Sequence, residues 1–187
     1  LVILSGWVGT ISLGQVAIVG TGAVIAGKVI VDSNLDLFAA IFLAAIIGAA
    51  VSVAIGIPAL RVRPLFLAVT TLLFAAAMDN FVLNPANFPG WIPNNIERPV
   101  LWKRYPMTSE RTMYYVILGV LTLVVILARI LRSQRPGRLM LAARDNEKAA
   151  AAMAIPVVRT RVAGMAIAGA IAGIGGARGW YYGTWLW

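Results

Sequence analysis

The chain has 187 residues, of which 60% are hydrophobic and only 12% are charged, and its mean hydropathy is +0.86. Soluble domains are about a quarter charged and about half apolar, so this composition is typical of a protein embedded in lipid. The absence of Cys and His excludes disulfides, zinc–thiolate sites and imidazole chemistry. In a membrane protein the formal charge of +9 indicates basic cytoplasmic loops rather than a nucleic-acid surface.

The first apolar region, residues 1–31, is too long for one membrane span, which needs about 20 apolar residues. Gly6, Gly9 and Gly14 interrupt it. We therefore predict a broken or re-entrant N-terminal segment, followed by a span that starts near Gln15. A broken helix inside a membrane is tolerated only where protein or a cavity covers it, and there it suits a zwitterionic amino acid.

The broken segment and the third span contain the candidate substrate-path residues. Small and hydroxyl-bearing side chains also allow helices to pack closely, so packing is the alternative explanation for each residue singly. The candidates are Ser5, Gly9, Thr10, Ser12, Gly14, Gln15 and Thr70.

Four further apolar stretches predict spans at residues 35–57, 65–83, 113–131 and about 162–183. The last stretch contains Gly169 and Gly173, and then Gly175 and Gly179, and a spacing of four places each pair on one helix face for close packing. The fold class is therefore predicted to be an all-α, polytopic transmembrane helical bundle of about five spans.

Basic residues predict the orientation of the loops. Nine of them lie in residues 58–64 and 132–161, whereas four lie in residues 32–36 and 84–112, so the first two loops are assigned to the cytoplasm. The outer loop, residues 84–112, contains five prolines and two tryptophans, which disfavours regular helix. It is either an ordered extracytoplasmic loop or a simple connector.

The cytoplasmic loop is longer than a connector requires and is patterned as helix. Pro136 and Gly137 predict a turn, and residues 138–144 predict a short helix. Residues 145–147 supply a capping side chain and negative charge for a helix through residues 149–152. Pro156 then predicts the end of this helix near Ile155. The loop either displays a docking surface for a partner or rests on its own membrane surface, with basic side chains at lipid phosphates.

Three motifs give the chain a family resemblance. They are residues 4–15 (LSGWVGTISLGQ), residues 60–72 (LRVRPLFLAVTTL) and residues 133–155 (SQRPGRLMLAARDNEKAAAAMAI). In this order they resemble the permease subunits of ABC importers for branched-chain amino acids, specifically the LivM-type subunit. Four positions depart: Pro64 and Ala154 stand where the family usually has Gly, and Val24 and Phe66 stand where Tyr is common.

This resemblance implies a single transmembrane permease domain over residues 1–187, expected to be a fragment incomplete at both ends. It implies a coupling helix within residues 138–155 that sits in a cleft of a cytoplasmic ATPase. The expected partners are a second permease subunit, two ATPase subunits that bind ATP–Mg, an extracytoplasmic binding protein and membrane lipid, in a bacterial inner membrane. No cofactor and no enzymatic activity are expected on this chain, whose sequence contains no P-loop motif. The candidate coupling residues are Arg138, Arg144, Asp145, Asn146, Glu147, Ala149, Ala150 and Met153.

Two other functions compete with this interpretation. A gradient-driven secondary transporter or channel is expected to carry ionisable groups in the middle of its spans, and this sequence has no mid-span carboxylate. A membrane scaffold subunit would explain the glycine-rich spans but not the patterned cytoplasmic loop.

Overall fold

The computed structural model describes residues 2–9, 12, 14–33, 37–59, 64–82, 84, 87, 100–101, 105–106 and 110–179. Candidate Thr10, residues 180–187 and most of the outer loop lie outside the described residues. In chain order the elements are π1 (Leu4–Val8), α1 (Gln15–Ser33), α2 (Leu37–Ala59), α3 (Pro64–Ala77), π2 (Met78–Val82), β1 (Val100–Leu101), β2 (Tyr105–Pro106), α4 (Glu110–Ser133), α5 (Arg135–Asp145), α6 (Glu147–Ala152) and α7 (Val157–Gly179), where π1 and π2 are single π-helical turns.

The predicted all-α membrane bundle is confirmed. Three described helices are long and apolar enough to cross a membrane, at Phe38–Ile57, Tyr114–Ser133 and Val157–Ala177, and two shorter apolar helices accompany them. The described β structure is one antiparallel pair in the outer loop, where β1 and β2 align Val100 with Pro106. The assignment of loops to the two sides of the membrane stays a prediction.

Helices α1, α2 and α7 form the centre of the bundle, and small residues allow their backbones to touch. A methyl group on Gly22 of α1 would lie 2.7 Å from the carbonyl oxygen of Gly173 in α7. One on Gly173 would in turn overlap the carbonyl oxygen of Ala44 in α2. In lipid, where apolar burial gives little driving force between helices, such close packing is a main source of association. Packing therefore explains Gly173, as predicted.

The second predicted glycine pair does not pack as expected. Gly175 has no atom within 4 Å of where a Cβ would stand, and its neighbour Gly176 makes the close contact instead, against the backbone of Val19. The packing prediction for Gly175 was wrong within this chain. Gly169, Gly173 and Gly176 lie on one face of α7, whereas Gly175, two residues after Gly173, lies on the opposite, exposed side of the helix.

A buried side-chain hydrogen bond also joins α2 and α7. The hydroxyl of Ser52 donates to the carbonyl oxygen of Met165 at 2.7 Å. A polar group buried in lipid is costly without a partner, so this bond fixes the register of the two helices as well as their separation.

Helix α7 begins at Val157, five residues before the predicted start, so Arg159 and Arg161 lie in a helix rather than in a loop. Pro156 precedes its first residue, and its carbonyl oxygen accepts from both the backbone N–H and the hydroxyl of Thr160 at 3.0 Å. Pro is compatible with a helix start because its missing N–H would have had no intrahelical partner there.

Helix α4 stands apart from the central bundle. None of the residues in its apolar window is buried, and within the described part of the chain its packing is with α5, near its C-terminal end. The first turn of α5 crosses so close to α4 that a methyl group on Gly137 would lie 2.6 Å from the Cα of Arg132.

Candidate coupling and substrate-path site

The loop predicted to be cytoplasmic contains two short helices, α5 and α6. Pro136 and Gly137 lie in the first turn of α5, which begins at Arg135, so the predicted turn at these two residues was wrong. Pro is favoured in the first helical turn for the reason given above. Gly137 is required there by the close approach to α4 rather than by turn geometry.

Asn146 separates the two helices. Its backbone N–H donates to the carbonyl oxygen of Ala142 at 3.2 Å and closes α5, while its side-chain Oδ1 accepts from the N–H of Ala149 at 3.0 Å and caps α6. Asn is among the best N-cap residues because its short side chain reaches an otherwise unpaired N–H. Of the three residues predicted to supply the cap, Asn146 is the capping residue, and the acidic Asp145 and Glu147 flank it.

Helix α6 ends at Ala152, three residues before the end near Ile155 that Pro156 led us to predict. The N–H of Ile155 donates to the carbonyl oxygen of Ala150, and the N–H of Ala154 donates to that of Ala151, both at 3.0 Å. These two bonds make a Schellman motif, which places Ala154 in the left-handed conformation with φ of 58°. The motif, rather than Pro156, ends the helix.

A small apolar cluster holds α5, α6 and α7 together. Ala143, Ala150 and Val157 are buried in it, and Ile155 packs against them. Ala150, predicted to pack against a partner, is therefore buried within this chain, where only a small side chain fits.

An ion pair adds a second connection between α6 and α7. The two terminal nitrogens of the Arg161 guanidinium donate to the carboxylate of Glu147, Nη2 to Oε2 at 2.9 Å and Nη1 to Oε1 at 3.3 Å. Such bidentate pairs are geometrically specific. Glu147, predicted to face a partner, thus forms an ion pair with a residue of its own chain.

Arg144 connects α5 to the N-terminal segment π1. Its Nη1 donates to the carbonyl oxygen of Gly6, and its side-chain stem covers Gly9. Gly9 ends π1 in the left-handed conformation, with φ of 73° and its N–H donating to Leu4. A methyl group on Gly9 would lie 2.8 Å from the Cγ of Arg144.

The remaining candidate coupling residues are exposed on the α5–α6 unit, which we define as residues 135–155. Met153, at the end of α6, leaves 76% of its surface accessible. Arg138, Asp145 and Ala149 are also exposed. The structure therefore divides the predicted set by contact. Arg144, Glu147 and Ala150 connect the unit to π1 and α7, although Arg144 and Glu147 are themselves exposed, and the other candidates form the rest of the exposed outer surface.

A small cavity lies where π1, α1, α2, α3 and α7 meet. Its volume is about 20 Å³, enough for about one water molecule. Candidates Ser12, Gly14 and Gln15 line it, together with Ser52 and Thr71. A methyl group on Gly14 would lie 2.8 Å from the carbonyl oxygen of Thr71, so α1 and α3 meet closely beside the cavity.

The other candidate path residues lie away from this cavity. Ser5 and Gly9 are exposed residues of the N-terminal segment. Thr70 lies on an exposed part of α3, whereas its neighbour Thr71 is buried and its hydroxyl donates to Ala68 at 3.0 Å. The roles of these residues in a substrate path stay predictions.

Comparison with known families matches residues 1–183 to the branched-chain amino acid transport system permease component. The match covers nearly the whole chain. The chain belongs to this permease family. No curated protein and no solved structure gives a significant match. The chain is thus a transport permease subunit rather than an enzyme, and its resemblance to this family is confirmed.

The permease contains several site residues that the sequence did not indicate. Arg161, the partner of Glu147, is only a loop charge in the sequence analysis, and Gly6 is part of the broken segment with no predicted partner. Ser52, in an otherwise apolar span, was the signal that a polar contact with another helix existed, although its partner is the backbone of Met165, 113 residues away.

Proposed function

We propose that this permease is one membrane subunit of an ATP-driven ABC importer for branched-chain or other small amino acids in a bacterial inner membrane. The family supports amino-acid transport, and the α5–α6 unit supports ATP coupling. The observation that carries the proposal is the combination of internal ties, through Arg144 and Glu147, with an outer surface that leaves Met153 exposed.

The proposed partners are a second permease subunit, two ATPase subunits and an extracytoplasmic binding protein. ATP–Mg binds to the ATPases, because this sequence carries no P-loop motif. When the ATPases close on ATP, the α5–α6 unit moves with them and carries the spans between inward-open and outward-open states. A docked unit has this effect only if its contacts differ in free energy between the two states.

The proposed substrate path passes the cavity lined by Ser12, Gly14 and Gln15. Pockets for small molecules have volumes of roughly 300–1,000 Å³. A cavity of about 20 Å³ is too small for such a molecule, so we propose that it is the closed constriction of the path, which separation of α1 from α3 at Gly14 would widen. Elsewhere along the path, away from the cavity, backbone groups of the broken segment, including Ser5, Gly9 and Thr10, and the hydroxyl of Thr70 are the proposed polar contacts for the ammonium and carboxylate of the substrate.

Replacement of Met153 tests whether the α5–α6 unit docks on an ATPase. Burial of a Met side chain contributes roughly 1.5–3 kcal/mol, and each 1.4 kcal/mol is a factor of ten in affinity. We expect Met153→Glu to weaken association with the ATPase about ten- to a hundredfold and to abolish ATP-driven uptake, measured by co-purification and by uptake into proteoliposomes.

Met153→Leu is the matched control, since it keeps an apolar side chain of similar volume at the same position, and it should retain association and uptake. If Met153→Glu associates and transports like the native complex, the unit does not dock through α6. Uptake driven by an ion gradient without ATP would instead favour a secondary transporter.

A further inference from the structure

The contact between Arg144 and π1 links the α5–α6 unit to the segment that leads into the cavity. The final carbonyl groups of a helical segment have no hydrogen-bond donor within the helix, and a basic side chain can donate to them instead. Arg144 does this for Gly6, across 138 residues of sequence. The charged donor makes this bond stronger than one between neutral groups.

The shape of the contact is specific on both sides. Gly9 adopts a positive φ of 73°, which favours glycine, and the stem of Arg144 occupies the space where a larger residue would carry its Cβ. Nearby, Gly164 of α7 is covered by Val8 of π1 and by Met140 of α5. The turn is thus held between two helices, one of which belongs to the proposed coupling unit.

We propose that Arg144 is a positioning residue that makes π1 move together with α5. Residues Ser12, Gly14 and Gln15 follow π1 in the chain and line the cavity, so a displacement of α5 is delivered to the constriction through the Gly6 carbonyl. Through this contact Arg144, although exposed, acts inside the permease, and we assign the docking of the unit to the outer surface that includes Met153. This inference rests on the proposed function.

The experiment measures the number of substrate molecules taken up per ATP hydrolysed by the complete transporter in proteoliposomes. Arg144→Ala should keep the ATPase subunits bound and retain basal ATP hydrolysis, while uptake per ATP falls about tenfold or more, on the scale of a lost charge-assisted hydrogen bond. Arg144→Lys keeps one charged donor and should restore part of the ratio. Arg129→Ala, which removes the same charge from the exposed surface of α4, is the matched control and should leave the ratio unchanged.

Gly9→Ala damages the same contact from the other side and keeps the inference testable if Arg144→Ala fails to assemble. With Arg144 present it should lower uptake per ATP. In the Arg144→Ala background the clash with the Arg144 side chain is absent and only the left-handed strain at residue 9 remains, so the substitution should lower the ratio less. An unchanged ratio in both single variants would overturn the inference. The inference would also be overturned if the losses of uptake per ATP in the two single variants added fully in the double variant. Failure of the native complex to couple uptake to ATP would instead overturn the proposed function.

Discussion

At the residue scale, Ala154 is a position where the backbone and the side chain disagree. The Schellman motif at the end of α6 requires a left-handed residue, and Ala154 adopts it with φ of 58°. An L-residue with a Cβ pays roughly 1–2 kcal/mol in this conformation. Permeases of this family usually have Gly at this position, which removes that cost. The Ala at residue 154 therefore has a structural consequence.

We therefore expect Ala154→Gly to stabilise the permease by about 0.5–1 kcal/mol, because relief of the left-handed strain exceeds the entropy that glycine gains in the unfolded chain. The thermal midpoint in detergent should rise by about 1–4 °C. Ala151→Gly, one turn earlier inside α6, is the control and should destabilise the protein by about 1 kcal/mol. A lower midpoint for Ala154→Gly would mean that the motif does not form.

Two glycines of α7 provide a second test at this scale. Gly173→Ala forces a methyl group against the backbone of α2, and we expect a loss of about 1–3 kcal/mol, measured as a lower thermal midpoint. Gly175→Ala has open space at the corresponding position and should be neutral or slightly stabilising, because Ala has the higher helix propensity. Equal effects would contradict the packing of α7 described above.

At the scale of elements, apolar length predicted the spans better than their ends. The predicted span at residues 35–57 corresponds to α2, and a break before Gln15 corresponds to π1 followed by α1, because a long run of apolar residues in lipid leaves helix as the only favourable state. The start of α7 and the end of α6 were misplaced, because Pro156 was interpreted as a breaker when it precedes a helix.

The sequence predicted several residues of the candidate site, but it did not predict which residues they contact. The sequence indicated Arg144, Glu147 and Gly14, yet it gave no sign that they contact Gly6, Arg161 and Thr71, respectively. These contacts depend on how helices far apart in the chain come together, which local pattern does not encode. Ala150 illustrates the same limit, since a small residue suits a docking surface and a tight internal cluster equally well.

The ion pair between α6 and α7 makes a prediction for these elements. Glu147→Arg should place two positive charges together, remove the ion-pair connection between α6 and α7 and uncouple ATP hydrolysis from uptake. The apolar cluster remains and the pair is partly exposed, so stability should fall by only about 1 kcal/mol. Adding Arg161→Glu re-creates the pair with exchanged charges and should restore coupling. If the double variant stays uncoupled while Arg161→Glu alone is active, Glu147 acts on a partner protein instead.

At the scale of the whole molecule, the permease combines a tightly packed centre with two exposed surfaces in the described part of the chain. Helices α1, α2 and α7 meet through glycine backbones, whereas α4 exposes its apolar length and the α5–α6 unit exposes Met153. A closely packed centre with the α5–α6 unit attached suits motion of whole helices rather than local adjustment, because closely packed interfaces change between discrete arrangements.

The measurement that tests this account most directly is uptake by proteoliposomes that contain the complete permease, its partner permease, the two ATPases and the binding protein. We predict uptake of leucine, isoleucine or valine that requires ATP inside the compartment of the ATPases and the loaded binding protein on the other side, and that stops with Met153→Glu. Uptake that proceeds without ATP, or that the Met153→Glu complex performs at the native rate, would contradict the account.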